Sequence, residues 1–122
     1  MTKTILCFIL LMTLLVGCEV LEPTQPEVKI TVTYFEQPYY EYLGGWSNLI
    51  EVSYSIRNTG DKDIDYYKIW FKATCIDGKE YSDWTNGTGL DAGHSIDDNL
   101  FINVSHKIVT SVRVTDYELT TY

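Results

Sequence analysis

Asp61, Asp63 and Asp65 stand at alternating positions in the stretch DKDID, which is how a calcium-binding loop begins. The full EF-hand pattern needs glycine at the sixth position and glutamate at the twelfth, where this chain has Tyr66 and Lys72. The three aspartates are left as candidates for a looser calcium site. The expected reading is a solvated hairpin in which Asn58 and Asp61 form side-chain turns. Zinc requires three or four Cys, His or carboxylate ligands with a close pair to set the geometry, yet Cys75, His94 and His106 are scattered singly. No G-x-S-x-G is present, and GTGLDAG (Gly87 to Gly93) lacks both the strand-to-helix context and the lysine of a phosphate loop. It is read as a turn. No catalytic residue and no cofactor is expected from these motifs.

A different chemistry is suggested by QPYYEYLGGWSN, Gln37 to Asn48, where four aromatics fall between Tyr39 and Trp46 around a glycine pair. If Gly44-Gly45 forms a two-residue hairpin turn, Leu43 pairs with Trp46, Tyr42 with Ser47, Tyr40 with Leu49 and Tyr39 with Ile50. The pleat then turns Tyr39, Leu43 and Trp46 inward with Ile50. Tyr40, Tyr42 and Leu49 form an outward stripe beside Glu41 and Glu51. Such a stripe stabilises an edge hairpin, or centres a protein contact, or stacks on a sugar ring whose hydroxyls meet the carboxylates. Trp84 is a second candidate for the same surface.

The elements that must position these side chains read as strands. Val28, Ile30, Val32 and Tyr34 alternate with polar residues, as do Val52, Tyr54 and Ile56. Tyr67, Ile69, Phe71, Ala73 and Cys75 share one face of a longer strand, with Lys68, Trp70, Lys72 and Thr74 on the other. Later strands are predicted around Leu100 to Val104 and Ile108 to Tyr117. Turn signals intervene at NTGDKD (Asn58 to Asp63), Asp77-Gly78, NGTG (Asn86 to Gly89) and DAGHS (Asp91 to Ser95). No window sustains a helical period. The expected fold is all-β, an antiparallel sandwich of about seven strands.

The N-terminus carries a different message. Lys3 precedes an apolar run from Ile5 to Val16, far short of the roughly 20 residues that cross a bilayer as a helix. Leu15, Val16, Gly17 and Cys18 follow, and the segment resembles a bacterial lipoprotein signal peptide ending in its lipobox. The resemblance implies diacylation of Cys18 and cleavage before it, leaving residues 1–17 as signal, 18–27 as lipidated cysteine and tether, and 28–122 as the domain. Several acyl chains anchor stably where one does so marginally. The implied location is the cell envelope, facing outward, with Glu19 favouring the outer membrane if the cell has two. Cys7 would leave with the signal and Cys18 would carry lipid, so Cys75 alone remains and no intrachain disulfide forms in the mature domain. Beyond Cys18 stand eight basic and seventeen acidic residues, near −9, with no Lys/Arg cluster. That balance argues against nucleic acid and against direct adhesion to anionic headgroups.

From Asn58 onward the order of features is NTG, a polar turn, a long strand ending at Asp77-Gly78, LDAG (Leu90 to Gly93) and two closing strands. It resembles the immunoglobulin-like modules of small envelope lipoproteins, the FxLYD-type domain being the nearest, with FKATCIDG from Phe71 to Gly78 in place of the name-giving motif and Ala92 where the family usually has proline. The resemblance implies a non-enzymatic protein-binding or scaffolding module with an envelope partner. Carbohydrate or cell-wall binding through the tyrosine face is the alternative.

Overall fold

The computed structural model describes residues 27–122. The expectations for the signal segment, for Leu15, Val16, Gly17 and Cys18, and for the tether up to residue 26 lie outside the described residues. Eight strands follow in order: β1 (Val28–Glu36), β2 (Tyr39–Tyr40), β3 (Gly45–Trp46), β4 (Leu49–Asn58), β5 (Ile64–Cys75), β6 (Glu80–Leu90), β7 (Ser95–Asn103) and β8 (Val109–Thr120). They pair antiparallel into two three-stranded sheets, β1-β4-β7 and β6-β5-β8, and a small β2-β3 ribbon. A short 3₁₀ turn over Glu41–Leu43 is the only helical element among the described residues.

The strict alternation of β4 and β5 makes them the centres of their sheets. Ile50, Val52, Tyr54 and Ile56 of β4, and Tyr67, Ile69, Phe71, Ala73 and Cys75 of β5, are all buried in one cluster. Tyr54 and Phe71 meet across it with ring centroids 5.3 Å apart. Each large apolar side chain so buried contributes about 2 kcal/mol by area. Lys68, Trp70, Lys72 and Thr74 take the outer face, as their spacing predicted.

Three expectations are corrected. Tyr34 is exposed, because Thr33 is an extra residue between Val32↔Tyr54 and Tyr34↔Ser53, and this bulge turns Phe35 inward instead. The NGTG stretch, read as a turn, lies inside β6. Gly87 sits opposite Tyr67, and a Cβ there would overlap the Tyr67 ring and hydroxyl, so this glycine serves close packing and not chain reversal. The Gly44-Gly45 turn is also different: Gly44 alone takes positive φ, closing the 3₁₀ turn through its N–H to the Glu41 carbonyl at 3.1 Å. Tyr39 then pairs with Trp46 and Tyr40 with Gly45, four residues out of the expected register. Because this ribbon is separate from the β1-β4-β7 sheet, its pleat does not continue into Ile50, and Tyr39, Leu43 and Trp46 are exposed.

Four edge strands are left, and each is blunted. β1 and β8 carry bulges. On β6, β7 and β8 an aspartate carboxylate accepts the backbone N–H of the next residue at 2.8 Å: Asp83 from Trp84, Asp98 from Asn99, Asp116 from Tyr117. Bulges, charge and capped N–H groups together discourage pairing with another chain.

Asn58 closes one pole. Fully buried at the end of β4, its Nδ2 donates to the carbonyls of Lys62 (2.7 Å) and Leu90 (3.0 Å), while its Oδ1 accepts from Gly60 N–H (3.0 Å). Asn58→Ala is expected to cost about 2–3 kcal/mol, since two carbonyls and an N–H lose their partner in a dry site. Asn58→Asp should cost more, because the carboxylate brings a charge and no donor. Urea denaturation checks both; an unchanged midpoint for Asn58→Asp would show that the amide is not needed.

Candidate functional site

Strand direction sorts the loops into two poles. β1 starts opposite Asn58, and β8 ends opposite Tyr66 near the start of β5. At the far end of the sheets, three segments converge: the 37–48 loop with its ribbon, the Ile76-Asp77 turn and the 104–108 turn. They surround an open cleft of about 650 Å³. Its walls include Tyr40, Trp46, Ile76 and Ile108, with Asp77, His106 and Lys107 as polar groups. That volume falls within the range of ligand pockets.

Gln37 builds this pole, and nothing in the sequence pattern marked it. Its Nε2 donates to the carbonyls of Ser47 (3.1 Å) and Lys107 (2.6 Å), and its Oε1 accepts the Val109 N–H (3.0 Å). One side chain thus ties the ribbon loop to the β7–β8 turn. The backbone adds Val104 N–H to Asn48 carbonyl at 2.7 Å and Ile76 N–H to Ile108 carbonyl at 2.8 Å. A polar residue before a proline gives no cue that its amide will reach 70 residues along the chain.

The β7–β8 turn is strained. Ser105 and His106 are consecutive non-glycine residues at positive φ, 52° and 61°, a conformation costing roughly 1–2 kcal/mol per residue. It is held by Asn103 Oδ1 accepting the Ser105 N–H at 2.9 Å and by the Lys107 N–H to Val104 carbonyl bond at 3.0 Å. The result aims His106 and Lys107 at the cleft. His106 Nδ1 lies 2.9 Å from the Trp46 carbonyl, which can only accept, so the proton sits on Nδ1. Lys107 Nζ meets Asp77 Oδ2 at 2.5 Å. That contact and the Lys79 N–H hold the Asp77 carboxyl below its ordinary value, and Asp77 raises Lys107 above its own.

The polar groups of the cleft therefore engage one another, and apolar surface is what they leave on offer. Leu43 and Ile76 are each 71% exposed at the rim. Of the residues singled out in the sequence, Tyr40 lines the cleft. Tyr42 stands outside it, 82% exposed, with its ring centroid 5.7 Å from that of Tyr40 and tilted by 59°. Leu49 is exposed opposite Asn103 at the start of β4 and is not part of the lining; Trp84 lies on the outer face of the second sheet. The structure does not gather the four into one surface.

The aspartates are also distributed. Asp63 accepts the Ala92 N–H at 2.9 Å and Asp65 the Tyr122 N–H at 2.7 Å, so two of the three brace neighbouring segments. Among the described residues no group of three or more His, Cys, Asp or Glu is arranged to hold a metal ion. Burial pushes the Cys75 thiol up, and a protonated thiol facing the core is a poor nucleophile.

Gln37→Ala is expected to lower stability by about 1–3 kcal/mol, because it strands the Val109 N–H and two carbonyls. An unaltered urea midpoint would show the clip to be dispensable. The Asp77 to Lys107 pair also has a definite pH signature. With the Asp77 value depressed, its contribution is present above the ordinary carboxylate value and is lost as pH falls through the lowered one. With the Lys107 value raised, the pair persists below the ordinary lysine value and is lost as pH rises through the raised one. Lys107→Met should shift the Asp77 titration upward by NMR; no upward shift would show that the pair does not form in solution. Compared with known proteins, the sequence matches no family model, and no curated protein matches it.

Proposed function

We propose that the chain is a lipid-anchored, non-enzymatic envelope protein that holds another envelope protein in the cleft at its far pole. The observation that carries this reading is that the described chain enters at the pole opposite the cleft. The described chain enters at Glu27, whose carbonyl accepts the Thr59 N–H at 3.0 Å at the Asn58 pole. β4, with ten residues, spans about 30 Å at roughly 3.3 Å per residue, and the cleft opens beyond its other end. A lipid on Cys18 would hold the Asn58 pole near the membrane and turn the cleft outward, where a second protein can reach it.

The strand order supports an immunoglobulin-like sandwich. In immunoglobulin domains, strands A, B and E are neighbours in one sheet and C′, C and F lie in the other. The orders β1-β4-β7 and β6-β5-β8 follow that scheme when strands are assigned in sequence, with no counterpart of D or G among the described residues. Rim residues Leu43 and Ile76, with Tyr40 and Trp46 behind them, suit insertion of an apolar or aromatic side chain from a partner, the usual centre of a protein contact. Sugar stacking on Tyr40 and Tyr42 is less favoured, since rings tilted by 59° offer no common plane.

The test is crosslinking in intact cells expressing the full chain. The wild type should yield a defined adduct that Leu43→Asp/Ile76→Asp loses while its folding is unchanged, both side chains being solvent-exposed. A Cys18→Ser variant should leave the membrane fraction and lack the acyl mass. An adduct undiminished in the double variant would overturn the cleft assignment. An unacylated wild-type Cys18 would overturn the anchor.

A further inference from the structure

The outer face of the β6-β5-β8 sheet carries an aromatic array that neither core nor cleft uses. Trp70 of β5 stands directly opposite Trp84 of β6, and Trp84 is 47% exposed. Cross-strand partners share a face, so the rows can be read from the register. Asn86, Lys68 and Glu118 form one row; Trp84, Trp70 and Asp116 the next; Thr88, Tyr66 and Thr120 lie beyond. Lys68 Nζ sits 4.0 Å from the Trp84 ring centroid and 4.8 Å from that of Trp70, bridging both indoles. Asn86 Nδ2 donates to the Tyr66 hydroxyl at 3.3 Å.

Charge on this face is balanced in a way that the rest of the chain is not. Lys68, Lys72 and Arg113 stand against Glu80, Asp116 and Glu118, and Arg113 and Lys72 both reach Glu80, at 3.0 and 3.9 Å. The whole chain is at −8. A neutral face with two indoles, amide, hydroxyl and carboxylate groups, spaced about 4.8 Å across the strands and about 6.7 Å from row to row, matches a ligand that is itself neutral, flat on one side and edged with hydroxyls. We propose that it is a binding platform for a neutral glycan chain. The apolar C–H face of a sugar ring stacks on Trp84, with half-buried Trp70 extending the aromatic surface beside it. The ring hydroxyls exchange hydrogen bonds with Asn86, Thr88 and Glu118, and Lys68 fixes the indoles while donating from its ammonium. The platform occupies the flank between the poles, and the proposal does not depend on the cleft.

The experiment is native gel electrophoresis of the full chain, in a detergent that is not a glycoside, through gels carrying soluble neutral β-glucan, mannan or, as a charge control, an acidic polysaccharide. The wild type and the cleft variant Leu43→Asp/Ile76→Asp should be retarded by a neutral glycan. Trp84→Ala should bind about tenfold more weakly, the scale of one lost stacking contact, and Trp84→Phe should recover part of the difference. Three results would overturn the platform: no retardation by either neutral glycan, equal retardation of Trp84→Ala, or retardation by the acidic polymer alone. Loss of retardation in the cleft variant with Trp84→Ala unaffected would also overturn it, moving glycan binding to the pole.

Discussion

The buried amide of Asn58 is the constraint on which the rest of the domain depends. Its backbone N–H donates to the His94 carbonyl and its carbonyl accepts from Gly93 N–H, while its side chain reaches Lys62, Gly60 and Leu90. These contacts join the end of β4 in one sheet to the end of β6 in the other and to both turns beside them. An amide with two donors and an acceptor satisfied inside a core has few alternative positions. The β1 and β4 register, which starts at Val28↔Asn58, begins from that fixed point.

Gln37 repeats the device at the opposite pole with looser burial. There the amide fastens a ribbon that has little core of its own, so the cleft is assembled by hydrogen bonds more than by packing. Between the poles, burial dominates. The Tyr54 hydroxyl lies within the core beside Thr85 and Tyr67, and desolvation pushes the phenol up to about 12. The core there is the apolar mass of β4 and β5. The aspartates that accept backbone N–H groups on three edge strands add charge there, which helps keep a strand-rich chain from extending its sheets into neighbours.

Chain entry, cleft and platform thus have separate supports. The described chain enters at Glu27 at the Asn58 pole, the cleft depends on Gln37 and the strained Ser105-His106 turn, and the platform on the straight pairing of β5 with β6. A lesion in one need not reach the others, which is why the cleft variant can serve as a control for the glycan platform.

The all-β character, the central strands and several turns were determined by the sequence alone. Alternation over Val52 to Ile56 and Tyr67 to Cys75 leaves one face apolar whatever the partner strand, and positions with turn chemistry such as Asn58-Thr59-Gly60 act locally. Other features were decided only by tertiary structure, because they depend on what lies across a gap. Gly87 reads as a turn residue until Tyr67 is found against it. Tyr39 and Trp46 read as core until their ribbon proves separate from the sheet carrying Ile50. Trp70 meets Trp84 only through the β5–β6 register, and Gln37 gains its role from carbonyls brought close by folding. Periodicity records which side of a strand is apolar; it carries no information about register or about hydrogen bonds between distant segments, and both candidate surfaces are made of those.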